Sequence, residues 1–504
     1  MSEQVTRSIK FNAVMNTLLT ASNTLVGIVT LPYVTRALSV EGYGNVNFVQ
    51  SISTWLVPIC TVGITAYGVR ECARVRDNAM QLARVVRELL IIITIFTALT
   101  LGVFALCILL IPRFVELSPL LWMFLISTLL SSYGVEWYYQ AVEQYEYITI
   151  RSVLFKVLSL VTILALIHSE DDWLLYGAIV ALVPCCNNIF NIVRLFKDIN
   201  LFGGETVSLR RHAKPLVSYA ASTISSSFYL SFDSILLGML NSNNVQVALY
   251  QLAVKLKNIC WQVINSVIGV LIPRLSYYAK NAPEKYDNLL KRGNGFLLNV
   301  CLGVMLYLFI YAMPLVTLVS SGKYANAALP IQIIGVANFV SCMSYFYGQC
   351  ILSPLSRERS LATANTIGLA ISLLLNAVLD RPFGAVGASI AATISEGSIF
   401  IALGLRSRDI LQRITTLSGV LRTLIPHITA FAVAIIPMQL LHHTGIDITT
   451  TINAGIAVVA GFIVYSIVWL VAAVIVREET SLWVLETIRA MLHKTLHRIV
   501  NSSN

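Results

Sequence analysis

The chain has 504 residues, of which 57% are hydrophobic and only 12% charged, whereas ordinary globular chains carry roughly 25% charge. Its mean hydropathy is +0.76, which excludes a string of soluble domains. The formal net charge of +10 resides in short polar segments between long apolar runs, a pattern that suits anionic lipid headgroups and needs no nucleic acid to explain it.

The apolar runs are about 20 residues or longer, enough to cross a hydrocarbon core of roughly 30 Å as helices. The alternating segments of roughly 10 residues that mark a membrane barrel are absent. The fold class expected is an all-α polytopic membrane protein. Spans are expected near 11–38, 43–69, 86–111, 119–141, 148–168, 173–197, 213–239, 245–272, 293–318, 328–353, 360–379, 385–405, 417–441 and 449–475. No cleavable signal peptide is expected, because the run from Phe11 is too long for one and lacks an A-x-A-type site. After Arg477, Leu482, Leu485, Ile488, Leu492, Leu496 and Ile499 recur at helical spacing. They predict an amphipathic helix lying on the membrane surface.

Fourteen spans put both termini on one side. All but six of the 35 Lys and Arg residues fall in segments of that same side, which the positive-inside rule makes cytoplasmic. Arg113, Lys323 and Arg381 lie in the opposite loops, and Arg36, Lys255 and Lys257 within spans. The expected location is the cytoplasmic membrane, with both termini cytoplasmic.

The outer loops are too short for an external catalytic domain. No G-x-x-x-x-G-K-[ST], H-E-x-x-H or G-x-G-x-x-G occurs, so no nucleotide, zinc-protease or dinucleotide site is indicated. The nine cysteines include no C-x-x-C pair and read as packing residues. His442 and His443 read as loop surface. The chain is therefore expected to be a transporter without cofactor or metal, not an enzyme.

Polar residues at helical spacing inside apolar spans carry the functional signal. Asn12, Asn16, Thr20 and Asn23 share a face of the first span, and Asn47, Gln50, Thr54 and Thr61 mark the second. Ser218, Ser222, Ser225, Tyr229 and Asp233 line the seventh; Gln251, Lys255, Asn258, Gln262 and Asn265 line the eighth. Single hydroxyls on such helices usually serve as interhelical glue. A mid-span lysine is different: a charge at the bilayer centre costs about 2.5–3.5 kcal/mol on insertion scales. Lys255 is expected to face a wet cavity or an acid, with Glu396 the best acid for it. Lys257 projects about 200° away on the same helix. Prolines 32, 58, 184, 314 and 437 are expected to bend their spans.

Stripes on spans one, two, seven and eight suggest two parallel six-helix repeats. The expected organisation is 1–199, an N-terminal lobe (spans 1–6); 200–410, a C-terminal lobe (spans 7–12); 411–476, spans 13 and 14; and 477–504, the interfacial helix.

Several stretches carry a family resemblance. These are Leu38 to Gln50 (LSVEGYGNVNFVQ), Gly63 to Arg76 (GITAYGVRECARVR), Val135 to Leu158 (VEWYYQAVEQYEYITIRSVLFKVL), the stretch DSILLG from Asp233, LNAVL from Leu375 and FGAVGASIAATISE from Phe383 to Glu396. In their order and spacing the chain resembles the Wzx-type oligosaccharide flippases, the polysaccharide-transport branch of the multidrug/oligosaccharidyl-lipid/polysaccharide (MOP) exporter superfamily. The resemblance implies two lobes around a central cavity that opens alternately to each side. It implies as substrate an oligosaccharide repeat unit on undecaprenyl pyrophosphate. Arg36, Lys255 and Lys257 would then meet the pyrophosphate. Asn12, Asn16, Asn23, Gln251, Asn258, Gln262, Ser222 and Tyr229 would meet sugars. Asp233 or Glu396 could serve H+ or Na+ coupling or a charge pair. Membrane lipids, a polysaccharide polymerase and glycosyltransferases of the same pathway are the implied partners. The rival readings are a lipid II flippase of the MurJ type, a multidrug exporter and, from another class, a polysaccharide polymerase or ligase.

Overall fold

The computed structural model describes residues 9–201, 207–437, 439, 450–483, 485, 486 and 489. The side chain of Asn23, His442 and His443, the end of the thirteenth expected span and most of the 477–504 helix lie outside the described residues. The described elements are helical, and the chain divides into two compact units, Met1–Gln251 and Leu252–Asn504.

The first unit holds α1 (Ile9–Ala37), α2 (Val40–Thr61), α3 (Ile64–Val75), α4 (Ala79–Leu110), α5 (Pro112–Glu116), α6 (Ser118–Ser132), α7 (Glu136–Ala141), α8 (Tyr145–Leu166), α9 (Trp173–Asp198), α10 (Arg210–Leu240) and the start of α11 (Val245–Asn281). Local chemistry sets their ends. Asn78 caps α4 by accepting from the N–H groups of Met80 and Gln81, each at 3.1 Å. Pro112 halts α4 by forcing Ile111 into extended backbone (φ −89°, ψ 117°). The expected span 43–69 is broken between α2 and α3, where Val62 and Gly63 both take positive φ (48° and 74°). A Cβ on Gly63 would lie 2.6 Å from the backbone of Tyr219 and Ala220 in α10. The break therefore lets α10 approach closely.

The sequence division falls at 199/200, and the first compact unit runs on to Gln251 and includes α10. The reason is long-range packing. Gly238 of α10 faces the Phe48 ring of α2, Trp55 and Phe228 rings meet at 5.4 Å, and Asn244 Nδ2 donates to Asn45 Oδ1 at 2.7 Å. At the other end of α10, the fully buried Glu88 of α4 accepts from Ser208 N at 2.7 Å, Arg84 Nε at 3.2 Å and Arg211 Nη2. His212 Nε2 lies 2.9 Å from the same carboxylate, and its Nδ1 lies 2.7 Å from the Tyr67 hydroxyl.

The second unit holds the rest of α11, then α12 (Pro283–Ser320), α13 (Ala328–Phe346), α14 (Glu358–Arg406), α15 (Arg408–Ile414), α16 (Leu417–Ala434) and α17 (Thr451–Val476). α12 kinks at Tyr311 (φ −99°, ψ 16°). Pro314 cannot donate to the Ile310 carbonyl, and its ring crowds that oxygen. A turn at Gly384, with φ 53° and ψ −130°, divides α14. Ser395 Oγ donates to Gly368 O at 2.7 Å across 27 residues, which a straight helix would hold about 40 Å apart. α14 is thus a hairpin of two antiparallel arms, matching the separate runs expected at 360–379 and 385–405. All nine cysteines are free.

Among the described residues, twelve helices are long and apolar enough to cross a membrane, thirteen when Arg210–Tyr229 and Ser231–Leu240, bent by 53°, form one span. Large apolar side chains such as Leu25, Leu99, Leu110, Leu374 and Ile475 are exposed. In water that would be a liability; in lipid it is what a spanning helix requires.

Candidate substrate-binding site

In the first unit, Asn16, Thr20, Ser218, Ser222 and Ser225 are exposed, and Arg36 is exposed on the last turn of α1. Asn12 is buried and its Oδ1 has no hydrogen-bond partner. Tyr229 and Asp233 are half-buried, and the Tyr250 hydroxyl donates to Asp233 Oδ2 at 2.8 Å. Gln251 Nε2 donates to Ser234 Oγ at 2.6 Å. The amide of Asn47 turns inward, donating to the Tyr43 carbonyl of its own helix at 2.7 Å. It serves helix packing, not an open face.

In the second unit, Asn258 is exposed and Lys255 and Gln262 are half-buried on α11. The sequence reading gave Glu396 to Lys255. The structure brings it to Lys257, whose Nζ lies 3.8 Å from Glu396 Oε1, with 17% and 14% of the two side chains exposed. Residues 255 and 257 project about 200° apart, so the rotation of α11 selects which lysine meets the second arm of α14. Two charges in contact inside apolar helices offset part of each other's desolvation cost. A separation of 3.8 Å is too long for a hydrogen bond, so the pair is held by charge alone.

Two further cations were missed. Arg151 and Lys156 lie inside α8, yet the sequence reading counted them with the cytoplasmic segments. Arg151 is 8% exposed, its Nη2 lies 3.2 Å from Glu136 Oε1, and its guanidinium sits 4.9 Å from the Tyr147 ring centroid. Its Nε and Nη1 have no hydrogen-bond partner. Lys156 Nζ donates to Ser22 Oγ at 3.1 Å and to Leu19 O at 3.4 Å, which ties α8 to α1. The signal was present in the sequence: both residues fall within the apolar run 148–168, Arg151 near its start and Lys156 further in, where the rule that singled out Lys255 applies to Lys156.

Apolar spans with exposed apolar side chains define a multi-pass α-helical membrane protein. A family model described as polysaccharide biosynthesis protein matches residues 9–279, more than half of the chain, and the chain belongs to that family. A protein of Escherichia coli (strain K12) named for O-antigen transport is 21% identical over 394 residues, covering 77% of this chain and 94% of the relative. A protein of the same name from Shigella dysenteriae is 23% identical over 403 residues, covering 77% and 97%. Among solved structures, the lipid II flippase MurJ in an inward closed conformation is similar in fold, with a TM-score of 0.64 at 12% identity, covering 90% of this chain and 98% of that one. These relatives are named as transporters or a flippase, none as an enzyme, in agreement with the family resemblance in the sequence.

Proposed function

We propose that this protein is a flippase that moves an oligosaccharide linked to undecaprenyl pyrophosphate from the inner to the outer leaflet of the bacterial cell membrane by alternating access. The observation that carries this reading is the presence of cations inside the apolar helices of both units: Arg151 and Lys156 in α8, Lys255 and Lys257 in α11. Buried cations are costly in hydrocarbon and commonly mark an ion or substrate path. An anionic pyrophosphate suits such cations, exposed amides and hydroxyls suit sugars, and the prenyl tail stays in lipid. The membership of the polysaccharide family and the relatives named for O-antigen transport support the same cargo. In this proposal the two arms of α14 cross separately, giving fourteen crossings with both termini cytoplasmic. Glu396 or Asp233 takes part in any H+ or Na+ coupling, and the polymerase and glycosyltransferases of the pathway act beside the protein.

The test is cellular. Cells depleted of this protein should accumulate lipid-linked oligosaccharide whose sugar resists an external glycosidase in spheroplasts, while lipid II remains accessible. Accumulation of lipid II on the inner face, with the oligosaccharide unaffected, would transfer the proposal to the MurJ-like cargo that the similarity in fold supports.

A further inference from the structure

Two cavities of the second unit meet at Thr480, which lines both. The first, of about 450 Å³, lies among the start of α12, the start of α16 and the segment after α17, and mixes charged side chains with apolar ones such as Leu298, Val420 and Trp483. The second, of about 690 Å³, continues along α12 towards Leu315 and is almost wholly apolar. One amphiphile with a polar head and a hydrocarbon chain has this shape.

The charges at the polar end do not cancel uniformly. Glu478 is buried and spends its carboxylate on its own helix start, accepting from Thr480 N at 3.1 Å and Ser481 N at 2.6 Å. Glu479 is paired with Lys291 at 2.7 Å. That leaves Arg292, stacked 5.3 Å from the centroid of Trp483, Arg422 and the carboxylate of Glu486 in the wall, a mixed set that suits a zwitterionic or anionic head only where the two arginines meet its phosphate. α16 begins in the same wall, where Thr416 Oγ1 caps Gly419 N at 3.1 Å. The N–H groups of Leu417 and Ser418 precede the first intrahelical bond, from Val420 N to Thr416 O. Two guanidinium groups and an open helix N-terminus suit a phosphate. Leu417 beside them is 77% exposed, as expected of a residue at the lipid boundary.

We propose that this paired cavity holds a phospholipid of the bilayer, its phosphodiester at Arg292 and Arg422 and one acyl chain in the apolar cavity. The proposal rests on the membrane placement given above and not on the identity of the cargo. The lipid would brace α12 against α16 and the segment after α17.

The test is native mass spectrometry of the full chain extracted from vesicles of equal phosphatidylethanolamine and phosphatidylglycerol. One retained phospholipid per wild-type chain is expected, and its mass tells which head is preferred. The double variant Arg292→Gln/Arg422→Gln should lower retention by about tenfold, the scale of lost charge-assisted bonds, while Lys323→Gln, far along the chain on an exposed turn, leaves it unchanged. Ser418→Asp is the second variant: a carboxylate in the first turn favours the helix but repels phosphate, so it should fold and still lose the lipid. Retention equal to wild type in both variants would overturn the proposal. So would complete displacement of phospholipid by added undecaprenyl phosphate, which would give the site to the cargo.

Discussion

Glu88 in the first unit accepts from a backbone N–H and two arginines, with His212 beside it, whereas Glu396 in the second has Lys257 at 3.8 Å. Both carboxylates lie on helices able to cross a membrane, so their difference separates two uses of buried charge. A carboxylate saturated by donors from α4 and α10 fixes those helices together, and its release would break several contacts at once. A pair held by one long contact can part and re-form cheaply, as the proposed exchange with an anionic cargo requires.

Replacing Glu88 by Ala should have the largest effect. It removes the acceptor that Arg84, Arg211 and His212 share, and breaking a buried pair by removing one member costs about 3–5 kcal/mol. Chemical unfolding in micelles should show that loss, and an unchanged midpoint would mean that the network is not structural. Gly384→Ala comes next. The hairpin that presents Glu396 depends on φ 53° and ψ −130° at this residue, and an L side chain there costs about 1–3 kcal/mol. Folded yield and unfolding midpoint should both fall.

Lys257→Ala sharpens the comparison from the other side. Translocation should drop by about tenfold, which corresponds to about 1.4 kcal/mol, with a smaller loss of stability than Glu88→Ala. A variant that unfolds instead would place Lys257 with Glu88 as structure. The smallest effect is expected at Asp409, whose carboxyl is held below its usual range by hydrogen bonds from Arg357. A lowered carboxyl contributes stability that is present above its unfolded value, near 3.9, and is lost as pH falls through the folded one. The pair is half exposed, so Arg357→Gln should cost only about 0.2–1 kcal/mol at pH 7. That difference should vanish only under acid, below about pH 4.

The membrane class was legible because hydrocarbon imposes long apolar helices regardless of their neighbours. The α14 hairpin was legible too, since the charged stretch at Asp380-Arg381 interrupts its apolar run. The break at Val62-Gly63 was not, because only the approach of α10 gives it a purpose. Nor could local pattern reveal that α10 belongs to the first compact unit, a matter decided by contacts such as that between Glu88 and Arg211. At the site, the residue types were readable but not their partners. Lys255 and Lys257 carry the same side chain two positions apart, and helix rotation alone gives Glu396 to one of them. Arg151 and Lys156 were hidden by counting charges by side before asking whether each lay inside a span.

The most direct measurement is translocation by purified protein in proteoliposomes, with undecaprenyl-pyrophosphate oligosaccharide as cargo and an external glycosidase as probe. Wild-type protein should enlarge the accessible sugar fraction with time, and folded Lys257→Ala should do so about tenfold more slowly. Folded wild-type protein that leaves that fraction unchanged, with or without an H+ or Na+ gradient, would contradict the account.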